Sequence, residues 1–295
     1  MDISPKCQER PRGEVRIVVS ASRRTDLPAH FPDFLAGALR EEKAHVLGPS
    51  GHSYDVDLRP ESVHTLVLWS KDYANLLADA WGLRGLAAKY EQAYFHFTIT
   101  GLGATILERG VVPPEDAMAQ LPGLVRIAGS PARVSVRFDP VVFWREGARP
   151  ESNLPFFDRL APRLADAGIA DVRVSFAQWY GKSKRRAKSR GFEFVEPDLA
   201  EKRARAAGLA ETAGKYGLVL HACAQDFLAE VAGFKRSSCI DGARLRDLHP
   251  RHEAVSTRKD RTQRPECGCT ESKDIGSYRQ VCPHACVYCY ASAAL

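Results

Sequence analysis

AYFHFTIT, residues 93–100, places aromatic and β-branched side chains at most of its positions, the composition of a strand. Moving outward toward the N-terminus, HTLVLWS (64–70) has the same character and is followed by a predicted helix from Tyr73 to Tyr90. Before it come a weaker strand in AHVLGPS (44–50), a helix in FPDFLAGALREE (31–42) after Pro32, and a strand in RIVVSAS (16–22) that ends at RRTDLP. Toward the C-terminus the same alternation continues through RVSVRFDP (133–140), DVRVSFAQWY (171–180), GLVLHACAQ (217–225) and VAGFKRSSC (231–239). A Leu- and Ala-rich helix precedes DVRVSFAQWY, and the segment from Asp198 to Tyr216 reads as another helix. About eight strands alternating with helices point to an α/β fold closed as a (β/α) TIM-type barrel rather than an open doubly wound sheet. Past Ser237 the periodicity fades, and 249–277 reads as a long polar loop ordered by metal. The expected organisation is a barrel over 1–236 and a cysteine-rich iron–sulfur extension over 237–295, packed on the barrel mouth.

The 295 residues are 44% hydrophobic and 26% charged, and no run of eighteen apolar residues occurs, so no membrane partner is expected. The opening MDISPKCQERPRGE lacks the apolar segment of a signal peptide, and the expected location is the cytoplasm. A net charge of +6 is mild and does not by itself imply nucleic acid. Of the eight cysteines, six lie beyond Cys223 and five fall between Cys267 and Cys289. Without a secretion signal, such clustering indicates metal binding rather than a disulfide framework.

CPHACVYCYA places Cys282, Cys286 and Cys289 in a C-x3-C-x2-C pattern with Tyr288 before the last thiol. Three thiolates on one tight loop hold three irons of a [4Fe-4S] cubane and leave the fourth open. In enzymes that use S-adenosylmethionine as a radical source, the open iron takes the amino and carboxylate end of that cofactor. Zinc prefers paired C-x2-C units and four ligands, so it fits this triad less well, as do three inert buried thiols. Four further cysteines, Cys223, Cys239, Cys267 and Cys269, equal in number the ligands of a closed [4Fe-4S] cluster or a structural zinc. Convergence of strand ends at a barrel mouth would unite them, and scattered structural thiols are the alternative. Cys7 reads as a free thiol in a Pro- and charge-rich leader.

Strand ends of a barrel carry active sites, which makes Arg23, Arg24, Asp26, Arg137 and Asp139 the catalytic candidates, with Lys71, Thr100 and Gln178 beside them. Each alone is as well explained by a salt bridge or a helix cap; Asp26 before LPAHFP suits a cap. His96 and His221 lie within apolar strands and read as satisfied core histidines, while His284 reads as a hydrogen-bond donor near the cluster. Lys182 to Arg190 holds six basic residues in nine, with Trp179, Tyr180 and Phe192 nearby. Such a stretch suits a nucleic-acid contact or a solvated helix face, and the mild overall charge favours the latter.

SASRRTDLPAHF, FHFTITG, VRFDP, SSCIDG and RKDRTQRPECGCTESKDIGSYRQVCPHACVYCYA together resemble the family of domain of unknown function 1848. That resemblance implies a C-terminal cysteine group similar to the N-terminal cluster of radical S-adenosylmethionine enzymes, and supplies no substrate. CPHACVYCYA also looks like the cluster loop of the spore photoproduct lyase group, in permuted order and without a GGE stretch elsewhere. The expected function is thus a radical S-adenosylmethionine-type iron–sulfur enzyme, supplied with electrons by a protein such as ferredoxin or flavodoxin. Two alternatives stay open: an iron–sulfur electron-transfer or sensor protein without that cofactor, and a zinc-stabilised nucleic-acid-binding protein.

Overall fold

The computed structural model describes residues 15–48, 51–236 and 238–291. Cys7 lies outside them. In chain order the strands are β1 (Ile17–Ala21), β2 (Lys43–Leu47), β3 (Ser53–Asp57), β4 (Val63–Ser70), β5 (Ala93–Thr98), β6 (Val134–Val141) and β7 (Phe143–Glu146). They continue with β8 (Arg149–Ser152), β9 (Asp171–Phe176), β10 (Phe194–Val195), β11 (Val219–Ala222), β12 (Phe234–Arg236) and β13 (Lys273–Asp274). Eight of them form one sheet in the order β12-β11-β9-β6-β5-β4-β1-β13, with every neighbouring pair parallel. No helix of the described residues is long and apolar enough to cross a membrane.

The α/β class expected from the sequence is therefore present, but the sheet is open and the expected closed TIM-type barrel is corrected. Its edges are β12, of three residues, and β13, of two, and no ladder joins them. Chain 238–272, which separates these edges, runs against one face of the sheet instead of extending it, as its packing below demonstrates. The weak strand in AHVLGPS pairs antiparallel with β3 in a separate two-stranded hairpin, and its place in the main sheet goes to β13. The helix expected from Tyr73 to Tyr90 is broken into Ala74–Leu77 and Leu83–Ala87, because Asp79 and Trp81 between them take φ of 54° and 56°. Leu199–Lys215 forms as the sequence predicts, with the Asp198 side chain accepting from the Glu201 amide.

Side chains alternate across each strand, and the two faces of this sheet differ in chemistry. Val19, Leu66, Leu68, Phe95, Phe97, Val136, Phe138, Val172 and Val174 enter the large core shared with the helices. The opposite face presents Ser20, Thr65, His96, Ser135 and Arg173, all buried, beside a smaller apolar cluster of Val18, Val67 and Tyr94. Ile240, Leu245, Val255 and Cys269 of the C-terminal chain complete that cluster. Carbonyls of the same chain each take one hydrogen bond from three buried polar side chains on or beside this face. His96 Nε2 lies 2.8 Å from Cys239 O, Arg173 donates to Ser238 O at 3.0 Å, and Gln92 donates to Leu245 O at 2.9 Å. Unpartnered, such buried groups would each cost about 1–3 kcal/mol.

Docking of β13 completes the cover. Ile275 N donates to Ser20 O at 2.9 Å, and Asp274 Oδ2 accepts from Ser20 Oγ and from Arg23 N, each at 2.9 Å. Gly276 lies so close to β1 that a Cβ there would stand 2.0 Å from Ser22 Oγ and 2.7 Å from Ser22 Cβ. Gly276→Ala is expected to destabilise the protein by about 1–3 kcal/mol through overpacking. Thermal or denaturant unfolding checks this, and an unchanged midpoint would contradict the docking described.

Candidate active site

A cavity of about 310 Å³ opens where the parallel strands end. All seven described cysteines line it, as do Arg23, Arg24, Asp26, Arg137 and Asp139, so residues that the sequence spreads over more than 260 positions meet at one place. Lys71 and Gln178 line it too; Thr100 sits behind the wall and binds Glu108.

The loop from Cys282 to Cys289 is held by contacts to its backbone. Cys286 is buried and Cys282 and Cys289 are partly exposed. Val287 N donates to Leu107 O at 2.9 Å, and Ala285 takes a φ of 50°, which turns the chain between the first two thiols. Gly110 allows the close approach: a Cβ there would meet Pro283 O at 2.5 Å. From the other side come two arginines of the basic stretch. Arg186, buried on the helix Gly181–Ser189, donates to the carbonyls of Cys286 and Cys289, and Arg190 donates to Ala285 O at 2.8 Å. Guanidinium groups thereby neutralise carbonyl dipoles that point away from the thiols. Lys182, Lys184, Arg185 and Lys188 remain exposed, which is the solvated face that the sequence allowed.

His284 faces acceptors with both ring nitrogens, Gly110 O at 2.8 Å and Asp26 Oδ2 at 2.7 Å; His30 Nε2 lies 2.9 Å from its Nδ1. Asp26 also accepts from Ser70 Oγ and Lys71 N, both at 2.7 Å, and caps the turn after β1 by accepting from Ala29 N at 3.0 Å. Burial pushes its carboxyl up, but the hydrogen bonds and charge of His284 hold it below the usual aspartate range. The helix cap and the site residue expected as alternatives are the same side chain. The expectation of satisfied core histidines is met at one ring nitrogen of each: His96 Nε2 by Cys239 O and His221 Nε2 by Asp171 Oδ1 at 2.7 Å, while both Nδ1 atoms are buried without a hydrogen-bond partner.

A second network lies beneath the loop. Lys71 Nζ donates to Glu108 Oε1 at 2.9 Å, Thr100 Oγ1 donates to the same oxygen at 2.7 Å, and the Tyr288 hydroxyl also donates to it. Glu108, 1% exposed, was not foreseen, since it falls in a loop without strand or helix periodicity. Burial raises its pKa, yet the Lys71 ammonium and the three donors bring it below the ordinary 4.5.

Cys223 Sγ and Cys239 Sγ are 3.6 Å apart on the opposite wall, Cys269 Sγ accepts from Ile240 N at 3.4 Å, and Cys267 and Cys269 line the same cavity. Arg137 Nη1 donates to Cys239 Sγ at 2.8 Å, while its Nη2 pairs with Asp139, which also accepts from Ser175. Arg137 and Arg23 both lie near the Trp69 ring, at 5.2 and 5.8 Å from its centroid. Arg23 is anchored to the C-terminal chain by Ser272 Oγ at 3.1 Å and Asp260 at 3.6 Å, and Arg24 by Gly276 O at 3.1 Å. Away from the cavity, Glu91, His249 and Glu253 cluster tightly, but Arg251 already pairs with both carboxylates and Arg16 with Glu91 at 2.8 Å.

The chain belongs to the family described as a domain of unknown function (DUF1848), which it matches over residues 18–291. No curated protein matches it. Among solved structures it is similar to a D-hydantoinase, at 14% identity and a TM-score of 0.34, over 74% of this chain and 44% of that one. A likeness that weak carries no argument about chemistry.

Two outcomes follow from the geometry. Glu108→Gln leaves Lys71 buried without its counter-charge and is expected to cost about 3–5 kcal/mol. Because folding lowers the Glu108 pKa, its stabilisation is full above 4.5 and is lost as pH falls through the lower folded value. Acid unfolding followed by circular dichroism should therefore be less pH-dependent below 4.5 in the variant than in the wild type. Arg186→Ala is expected to raise the reactivity of the buried Cys286 toward a thiol reagent severalfold, whereas Lys184→Ala on the exposed face leaves it unchanged; equal reactivity in the two variants would refute the role given to Arg186.

Proposed function

We propose that the protein is an iron–sulfur enzyme of the radical S-adenosylmethionine type, whose substrate occupies the cavity between the 282–289 loop and the strand ends. The observation that carries the proposal is the position of three thiols, spaced C-x3-C-x2-C on one backbone-anchored loop, at the wall of a cavity lined by cationic and carboxylate side chains. The donor set fits the group: three soft thiolates and no fourth cysteine on the loop. Cys282, Cys286 and Cys289 would hold the cluster. When bound, a cubane with three thiolate ligands supplies an open iron and a low-potential electron for cleaving the sulfonium of S-adenosylmethionine.

The chain's own residues would do the remaining work. Arg186 and Arg190 set the loop's orientation through its carbonyls. Lys71 and Tyr288, tied to Glu108, form the floor under the loop and place a fixed positive charge near thiolates. Asp26, oriented by His284 and Ser70, presents a carboxylate at the cavity edge, where Arg137, Asp139 and Gln178 offer hydrogen bonds to a polar ligand. Two arginines of the basic stretch are engaged by the loop, which leaves Lys182, Lys184, Arg185 and Lys188 facing solvent.

After anaerobic reconstitution, the protein is expected to be brown, to change its reduced-cluster paramagnetic spectrum on adding S-adenosylmethionine, and to form 5′-deoxyadenosine under dithionite. Cys286→Ala should abolish both effects. Clusters that titrate reversibly but ignore the cofactor would overturn the enzyme reading in favour of electron transfer.

A further inference from the structure

We infer that Cys223, Cys239, Cys267 and Cys269 form a second iron–sulfur site, a closed four-thiolate centre in the cavity wall facing the 282–289 loop. It stands on its own geometry and does not require the reaction proposed above.

Convergence is the first argument. Cys223 follows β11, Cys239 follows β12, and Cys267 and Cys269 arrive from the chain that covers the sheet, yet all four line one cavity, with Cys223 Sγ 3.6 Å from Cys239 Sγ. The surroundings are the second. Thiols that merely fill a core have apolar neighbours, whereas Cys239 Sγ receives a guanidinium hydrogen bond at 2.8 Å from Arg137, whose other nitrogen is fixed by Asp139. A buried arginine aimed at sulfur is stabilised when that sulfur carries negative charge, as a metal-bound thiolate does. Third, the donors are all soft, with no carboxylate or imidazole among the four, which selects iron–sulfur clusters or zinc over hard cations.

Spacing separates those two. A zinc tetrathiolate with bonds of about 2.3 Å places every pair of sulfurs about 3.8 Å apart. Among the described residues, the three potential donors that all lie within 4.8 Å of one another are Glu91, His249 and Glu253, and no three of these sulfurs do so. Cys267-Gly-Cys269 also departs from the C-x2-C to C-x4-C pairs of zinc sites. Cys223 Sγ and Cys239 Sγ, 3.6 Å apart, match one such edge, but the four sulfurs taken together spread wider than one zinc tetrahedron, as a polynuclear centre requires.

Iron, sulfide and zinc are counted on the anaerobically reconstituted full chain. Wild type should hold about eight irons, the Cys282→Ala/Cys286→Ala/Cys289→Ala variant about four, and Cys223→Ser/Cys267→Ser about four. Stoichiometric zinc in the loop variant, or about four irons in wild type and none in the loop variant, overturns the inference. Circular dichroism and gel filtration establish that each variant is folded. Should the loop variant fail to fold, Arg137→Gln in the wild-type background decides: one of two resolved reduction potentials should move lower on loss of the charged hydrogen bond, and a single cluster signal overturns the inference. Failure of wild type to cleave S-adenosylmethionine, with iron retained in the loop variant, would sink the proposed reaction and leave this site standing.

Discussion

Polar side chains on one face of a buried parallel sheet must find partners, and chain 238–291 supplies them. Most parallel sheets bury apolar residues on both faces. Here His96, Ser135 and Arg173 occupy positions where a valine or leucine would be ordinary, and their hydrogen-bond partners include carbonyls of Cys239 and Ser238. The sheet and the C-terminal chain are thus mutually required. Without the cover, a buried guanidinium and imidazole would be stranded; without the polar face, the cover would have no anchor.

That dependence also positions the cavity. The chain that covers the inner face leads through Cys267 and Cys269, adds β13 beside β1, and then delivers the 282–289 loop over the strand ends. Both cysteine groups are held by backbone and by arginine, not by mutual packing alone. Arg186 and Arg190 grip carbonyls of the loop, and Arg137 faces the sulfur of Cys239. Deprotonated thiols in a region of low dielectric would repel one another strongly, and the Arg137 guanidinium, 2.8 Å from Cys239 Sγ, offsets that repulsion on one wall.

Seven of the eight main-sheet strands were legible, most by short apolar runs and β12, which is Phe-Lys-Arg, only by its place in the alternation. β13 was not. Lys273 and Asp274 are two polar residues in a stretch of charges, and they become a strand only because β1 offers an unpaired edge. The break at Asp79 and Trp81 was equally hidden, since Trp rarely adopts a left-handed backbone and a single Asp is a weak signal of one. Arg23, Arg24, Asp26, Arg137 and Asp139, expected at strand ends, do line the cavity, whereas His30, Glu108 and Arg186 contribute through distant partners with no local signal.

By itself the sequence determined the alternating α/β pattern, the thiol triad with its spacing, and the four further cysteines, because these are properties of composition and short-range order. Whether the sheet closes, which thiols meet, and what the basic stretch binds were decided only in three dimensions. Each depends on contacts between segments separated in sequence, from 16 residues for Cys223 and Cys239 to 100 for Arg186 and Cys286, and local sequence order does not encode such meetings.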